Sequence, residues 1–93
     1  MNLDLLAKDT LEGKRSYQKF VEHTLDDARK QHPVMQSYHE GLAVIMEEFE
    51  EFKAEVFRKV IDKKAVLKEL ASISAMCQRF AEDVLKTTTP AKL

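Results

Sequence analysis

Apolar positions recur at three- and four-residue steps along most of the chain, the spacing that lines one face of an α-helix. From Lys14 to about Lys30 the stripe is Tyr17, Phe20, Thr24, Leu25 and Ala28; "QHP" closes it, because proline disfavours helical backbone in the residue before it. A second helix opens at "SYHE", where Ser37 can accept from the Glu40 backbone N–H while the Glu40 side chain reaches back, the reciprocal capping box. Its stripe runs through Leu42, Ile45, Phe49, Phe52, Val56 and Val60, with Gly41 carried in the first turn. At "IDKK" Asp62 can cap a third helix, whose apolar positions are Val66, Leu70, Ile73, Met76, Cys77, Phe80 and Val84. Only a residue or two is left between the second and third helices, and so tight a link makes them antiparallel neighbours.

The ends are less regular. Residues 1–13 read as an arm or a short helix packed on the bundle or on a partner chain, since Leu3, Leu6 and Leu11 do not suit a disordered arm. Residues 14–88 form a single helical domain, and the β-branched run before Pro90 predicts a frayed tail over 89–93. The chain has no strand-like alternation, internal repeat or glycine-rich phosphate loop. The predicted class is all-α: an antiparallel helical hairpin plus an N-terminal helix.

Composition narrows the partners. A chain of 93 residues, 44% hydrophobic and 33% charged, has room for one small core. Its excess of Leu, Phe and Val predicts a bundle completed by other copies, as a homodimer or homotetramer. A formal net charge of -1 offers no basic footprint for direct nucleic-acid binding. No stretch approaches membrane-spanning length, which argues against a membrane chain. The single cysteine, Cys77, cannot form an internal disulfide and falls on an apolar helix face; it reads as a small core residue in a reduced, cytoplasmic setting. His23 and His39 lack partners at ligand spacing and read as surface or capping residues. The Met and Phe positions read as core or subunit interface, and Tyr17 and Tyr38 as residues that could stack a base.

The stretch "MEEFEEFKAE" carries the candidate chemistry. At about 100° per residue, Phe49, Phe52 and Val56 fall within about 40° of Ile45, while Glu48, Glu51 and Glu55 share a separate stripe at roughly 240–300°. On the third helix Glu69 lies near the apolar centre with Ser72 on its flank, and a buried carboxylate needs a partner. Counting outward from the turn sets Glu55 level with Glu69 and Glu51 level with Ser72, with Glu48 one turn beyond. Converging carboxylates take up protons, recruit Lys or Arg, or hold a hard cation. The alternative is a solvated acidic face paired with Lys53, Lys59 and Lys63.

"EEFEE" (47–51) followed by "ELAS" (69–72) resembles the all-α nucleotide pyrophosphohydrolases of the MazG kind, which carry E-E-x-x-E and then E-x-x-D on successive helices. Its context is similar to that of small phage and prophage members, over about residues 20–85. The resemblance implies a homo-oligomeric hydrolase that cleaves a ribo- or deoxyribonucleoside triphosphate to monophosphate and pyrophosphate. It implies magnesium, or manganese in its place, on Glu48, Glu51 and Glu69, with Glu47 or Glu51 activating water. The family's aspartate is replaced by Ser72, which removes one carboxylate; Glu55 is the substitute closest in position. Arg79, then Lys68, are the cations expected to meet the phosphates. The departure at Ser72 leaves a second reading open, a catalytically impaired scaffold or nucleotide-binding module on the same fold.

Overall fold

The computed structural model describes residues 2–86. Each helix starts where a short polar side chain can take up free backbone N–H groups. Asn2 accepts from Asp4 and Leu5 at the head of α1 (Leu3–Leu11), and Ser16 accepts from Lys19 at the head of α2 (Tyr17–Gln31). Ser37 caps α3 (Tyr38–Val56), and Asp62 caps α4 (Lys63–Phe80), which runs on into a single π-helical turn, Ala81–Leu85. At Ser37 only half of the capping box forms, because the Glu40 carboxylate accepts from the Gln36 N–H rather than from that of Ser37. No strand is present among the described residues.

The N-terminal segment is a helix, and it ends at the one position among the described residues where the backbone has positive φ. Gly13 has φ 78°, Lys14 N–H reaches Asp9 C=O at 2.8 Å and Gly13 N–H reaches Thr10 C=O at 3.1 Å, a Schellman closure. This turn sends the chain back so that α1 packs against α2 and α4, burying Leu6 and Ala7.

The core lies mainly between α2 and α4. Phe20, Val21 and Leu25 meet Ala71, Ala75 and Met76, and Met35 and Val84 close the end nearest the α2–α3 loop. The small residues on α4 let α2 approach closely, while Tyr17 Oη sits 2.7 Å from Ser74 Oγ and donates to Leu70 C=O at 3.2 Å. At the other end Arg29 forks onto Glu82 (2.7 Å) and Asp83 (2.9 Å), and Asp83 accepts from Met35 N–H at 3.0 Å. Burial alone pushes Asp83 up, but the Met35 N–H and the Arg29 and Arg79 guanidiniums outweigh it and hold its carboxyl below the ordinary range.

Helices α3 and α4 are antiparallel, as the sequence predicts. The Gly41 end of α3 meets Phe80 near the end of α4, and Glu51 in the second half of α3 meets Glu69 in the first half of α4. A Cβ at position 41 would overlap the Phe80 ring, which explains a glycine inside this helix; Tyr38 lies against the same ring, with centroids 5.7 Å apart.

Three expectations are corrected. The link between the hairpin helices is not one or two residues: α3 ends at Val56, and 57–62 form the connection. That longer link shifts the pairing by about one turn, setting Glu51 rather than Glu55 beside Glu69. Of the stripe Leu42, Ile45, Phe49, Phe52, Val56, Val60, only Ile45 and Phe52 turn toward the core; the other four are exposed, and Gly41 is the single fully buried residue of α3. The face packed inward is rotated from that stripe toward the glutamates, with Val44, Ile45, Glu48, Phe52 and Glu55 at least half-buried. Cys77 is likewise exposed rather than core, because α4 meets α2 through its Ala71–Ala75 side and turns Leu70 and Cys77 outward.

Candidate metal centre and adjoining cavity

Glu48, Glu51 and Glu69 each offer a carboxylate oxygen, and the three oxygens lie within 4.8 Å of one another. Glu48 and Glu51 project together because they are one turn apart on α3, and Glu69 arrives from the facing surface of α4. This is the grouping expected from the two motifs. Burial, then the neighbouring charge and carboxyl contact of Glu51, with smaller effects from Glu69 and Glu47, pushes Glu48 up to about 7. Glu69 is raised by the same sequence of causes, burial and then Glu51, with Glu55 adding to it and Lys68 opposing it. Neither Glu48, Glu51 nor Glu69 has an ion-pair partner among the described residues.

The donor set fits a hard divalent cation. All three ligands are carboxylate oxygens, at a spacing close to the largest separation, about 4.2 Å for magnesium and about 5 Å for calcium, between oxygens of one coordination shell. Slight side-chain rotation closes the difference for magnesium or manganese. Water fills out such a shell, since magnesium usually retains several.

The other predicted site residues divide clearly. Glu55 is not in the group: Arg58 Nη1 holds it at 3.0 Å, one turn further along α3. Glu47 is exposed on the neighbouring wall of α3. Lys68 turns away to α1, where its Nζ lies 2.7 Å from Asp4. Ser72 is half-buried beside Glu48. Arg79 is 4% exposed, with Nη2 donating to Pro33 C=O at 2.9 Å and Nη1 3.2 Å from Met76 Sδ.

A cavity of about 350 Å³ opens beside Glu48, between α2, α3, α4 and the α2–α3 loop, with Leu3 of α1 also in its wall. Glu47, Glu48 and Ser72 stand in its wall together with Arg79, Asp27 and Gln31. Asp27 and Gln31 were not legible as site residues: they sit on the polar flank of α2, and only the packing of α2 against α4 turns them toward Ser72. Neither Tyr17 nor Tyr38 lines this space; one is tied to Ser74 and the other packs on Phe80.

The chain matches no family model, no curated protein and no solved structure. The resemblance to MazG-type enzymes therefore rests on the two acidic motifs and their juxtaposition alone.

Proposed function

We propose that this protein is a divalent-cation-dependent nucleoside triphosphate pyrophosphohydrolase of the MazG kind. The observation that carries this reading is the meeting of Glu48, Glu51 and Glu69 from two antiparallel helices, beside a cavity that Glu48 lines. In it, Glu48, Glu51 and Glu69 hold magnesium, or manganese in its place. When bound, the cation neutralises phosphate charge and polarises the attacked phosphorus. Water attacks the α-phosphorus, the bond from that phosphorus to the oxygen bridging to the β-phosphate breaks, and pyrophosphate leaves. Glu51, or Glu47 one turn before it, takes the water proton as general base.

A second copy completes the bundle in this reading. The molecule is only 18 Å across its thinnest dimension, about two helix layers, so α3 has nothing outside it among the described residues. Phe49 is 51% exposed, Phe57 78% and Val60 81%, and Leu42, Met46 and Ile61 are also open. Together the exposed apolar side chains of α3 and the following turn offer on the order of 800 Å² per copy, the area each partner contributes to a stable dimer. A homodimer burying this face would keep the carboxylates, on the adjacent flank of α3, beside the interface.

Ser72 favours one alternative, a module that binds nucleotide and cation without turning it over, because a neutral hydroxyl stands where the motif calls for a fourth carboxylate. Pyrophosphate release from a panel of nucleoside triphosphates separates the two. The hydrolase reading expects release that needs magnesium or manganese and is lost in Glu51→Gln. Nucleotide binding without release, by folded protein, would support the alternative.

A further inference from the structure

Resting on the pyrophosphohydrolase reading, we propose that the cavity receives the nucleoside and that Arg79 reads its base rather than the phosphates, selecting guanine, uracil or thymine over adenine and cytosine. Position comes first. Ser72 and Arg79 line the same cavity seven residues apart on α4, about 10 Å along the helix, and Glu69 lies a further turn back. A triphosphate anchored at the carboxylates leaves Arg79 roughly one nucleoside length away, at the level of the base. The volume agrees: about 350 Å³ is at the small end of ligand pockets, enough for a nucleoside with its phosphates outside over the glutamates.

Charge decides the second point. Arg79 is 4% exposed; it acts on Asp83 at longer range, but no carboxylate lies within ion-pair distance of it among the described residues. Its guanidinium has five donors, yet its contacts are the Pro33 carbonyl and the weak acceptor Met76 Sδ, and Nε–H has no partner. A buried guanidinium so poorly satisfied is costly unless a ligand supplies an acceptor. The walls say which kind. Asp27, Glu40 and Glu47 also line the cavity, so a phosphate bearing two negative charges would be repelled there, whereas a neutral carbonyl would not.

Guanine, uracil and thymine present a ring N–H beside a C=O. Arg79 is the donor for that carbonyl, and Asp27, half-buried on α2, is the acceptor for the N–H. Adenine and cytosine present, in the same pose, an amino donor where Arg79 needs an acceptor and a ring lone pair where Asp27 needs a donor, so both protein groups are left unpaired. A site built to satisfy a polar edge rejects an analogue lacking it strongly.

The test is calorimetric binding of GMP, UMP, AMP and CMP to the full chain with magnesium, with inorganic pyrophosphate as the probe for the phosphate end. GMP and UMP should bind at least tenfold more tightly than AMP and CMP. Arg79→Lys should bring that ratio toward one while leaving pyrophosphate affinity unchanged. Because Arg79 is buried, Asp27→Asn serves as the second variant, with the ratio reduced at least threefold and the fold checked by circular dichroism. Equal affinity for all four monophosphates in the wild-type protein would overturn the inference, as would an Arg79→Lys variant that weakens every nucleotide and pyrophosphate alike. Base-selective binding without pyrophosphate release would sink the hydrolase reading and keep this one; release without base preference would do the reverse.

Discussion

Glu48→Gln removes one charge from the carboxylate group while nearly preserving side-chain shape, so it relieves both the cost of burying that charge and the repulsion stored there. With oxygens inside 4.8 Å, each pair of full charges repels by about 1 kcal/mol at the dielectric of water and about 3.5 kcal/mol at an effective dielectric of 20. Glu48 faces both Glu51 and Glu69, but all three are partly open to solvent, which screens the interaction. The net relief should be on the order of 1–2 kcal/mol when Glu48 is fully charged, or a rise of roughly 5–10 °C in Tm for a domain of this size. The sign depends on pH. Glu48 is raised to about 7 in the folded chain, so between the ordinary carboxylate range and pH 7 the folded state holds a proton that the unfolded state has released. Stability therefore falls as pH climbs through that window. The variant should melt higher than wild type at pH 8.5 and level with it at pH 4.5, followed by circular dichroism in the presence of a chelator. Magnesium should then stabilise the wild-type protein at pH 8.5, by about 2.7 kcal/mol at a concentration a hundredfold above its Kd, and the variant by less. A variant that melts lower than wild type at pH 8.5, or that differs by the same margin at both pH values, would refute the argument from a buried, repelled charge.

Three further substitutions probe the frame around the site. Arg29→Ala strips Asp83, whose side chain is 5% exposed, of its ion pair and should cost about 2–3 kcal/mol in denaturant titrations near pH 7. Because the Asp83 carboxyl is held low, its stabilisation is present above the ordinary carboxylate range and lost as pH falls through its folded value, so the gap between variant and wild type should narrow under acid. Gly41→Ala gains about 1 kcal/mol of helix propensity but forces Phe80 out of its place against Tyr38, and a net loss of about 1–2 kcal/mol in thermal melts is expected. Phe49→Glu places a charge in the open apolar face of α3 and should convert a dimer to a monomer in analytical ultracentrifugation; a wild-type protein already monomeric at 100 µM, a concentration on the order of that used for weak dimers, would remove the basis for the dimer.

The helices were legible because their signals are local. Ser37 and Asp62 announce α3 and α4 through their own side chains, and the stripe of α2 marks the face that carries Phe20 and Leu25 into the core, whereas the stripe of α4 holds Met76 and Val84 but passes over Ala71 and Ala75. The orientation of α3 was not legible from hydrophobicity, for a specific reason. Its apolar stripe is greasier than the face it turns inward, and in a chain with only one other helix layer the inward face is chosen by Gly41 against Phe80 and by Val44 and Ile45 on the core edge. The glutamates are carried toward α4 by that choice. The identity of the converging acids was readable from the motifs, but the register was not, because nothing in "FRKVID" shows that α3 stops at Val56. The cavity was invisible for a different reason: its walls come from five segments, and Asp27, Ser72 and Arg79 become neighbours only through the packing of α2 and α3 on α4. The π-helical turn at Ala81–Leu85, which presents Glu82 and Asp83 to Arg29, has no recognisable sequence signal.

The central claim is that Glu48, Glu51 and Glu69 form one divalent-cation site. It is tested most directly by titrating manganese into the wild-type protein and Glu69→Gln at pH 8.5, following the free ion by electron paramagnetic resonance. Saturable binding by the wild-type protein that weakens at least tenfold in the variant, with magnesium competing, is the predicted result. Binding that is unaffected by the substitution, or no binding by folded wild-type protein, would contradict it.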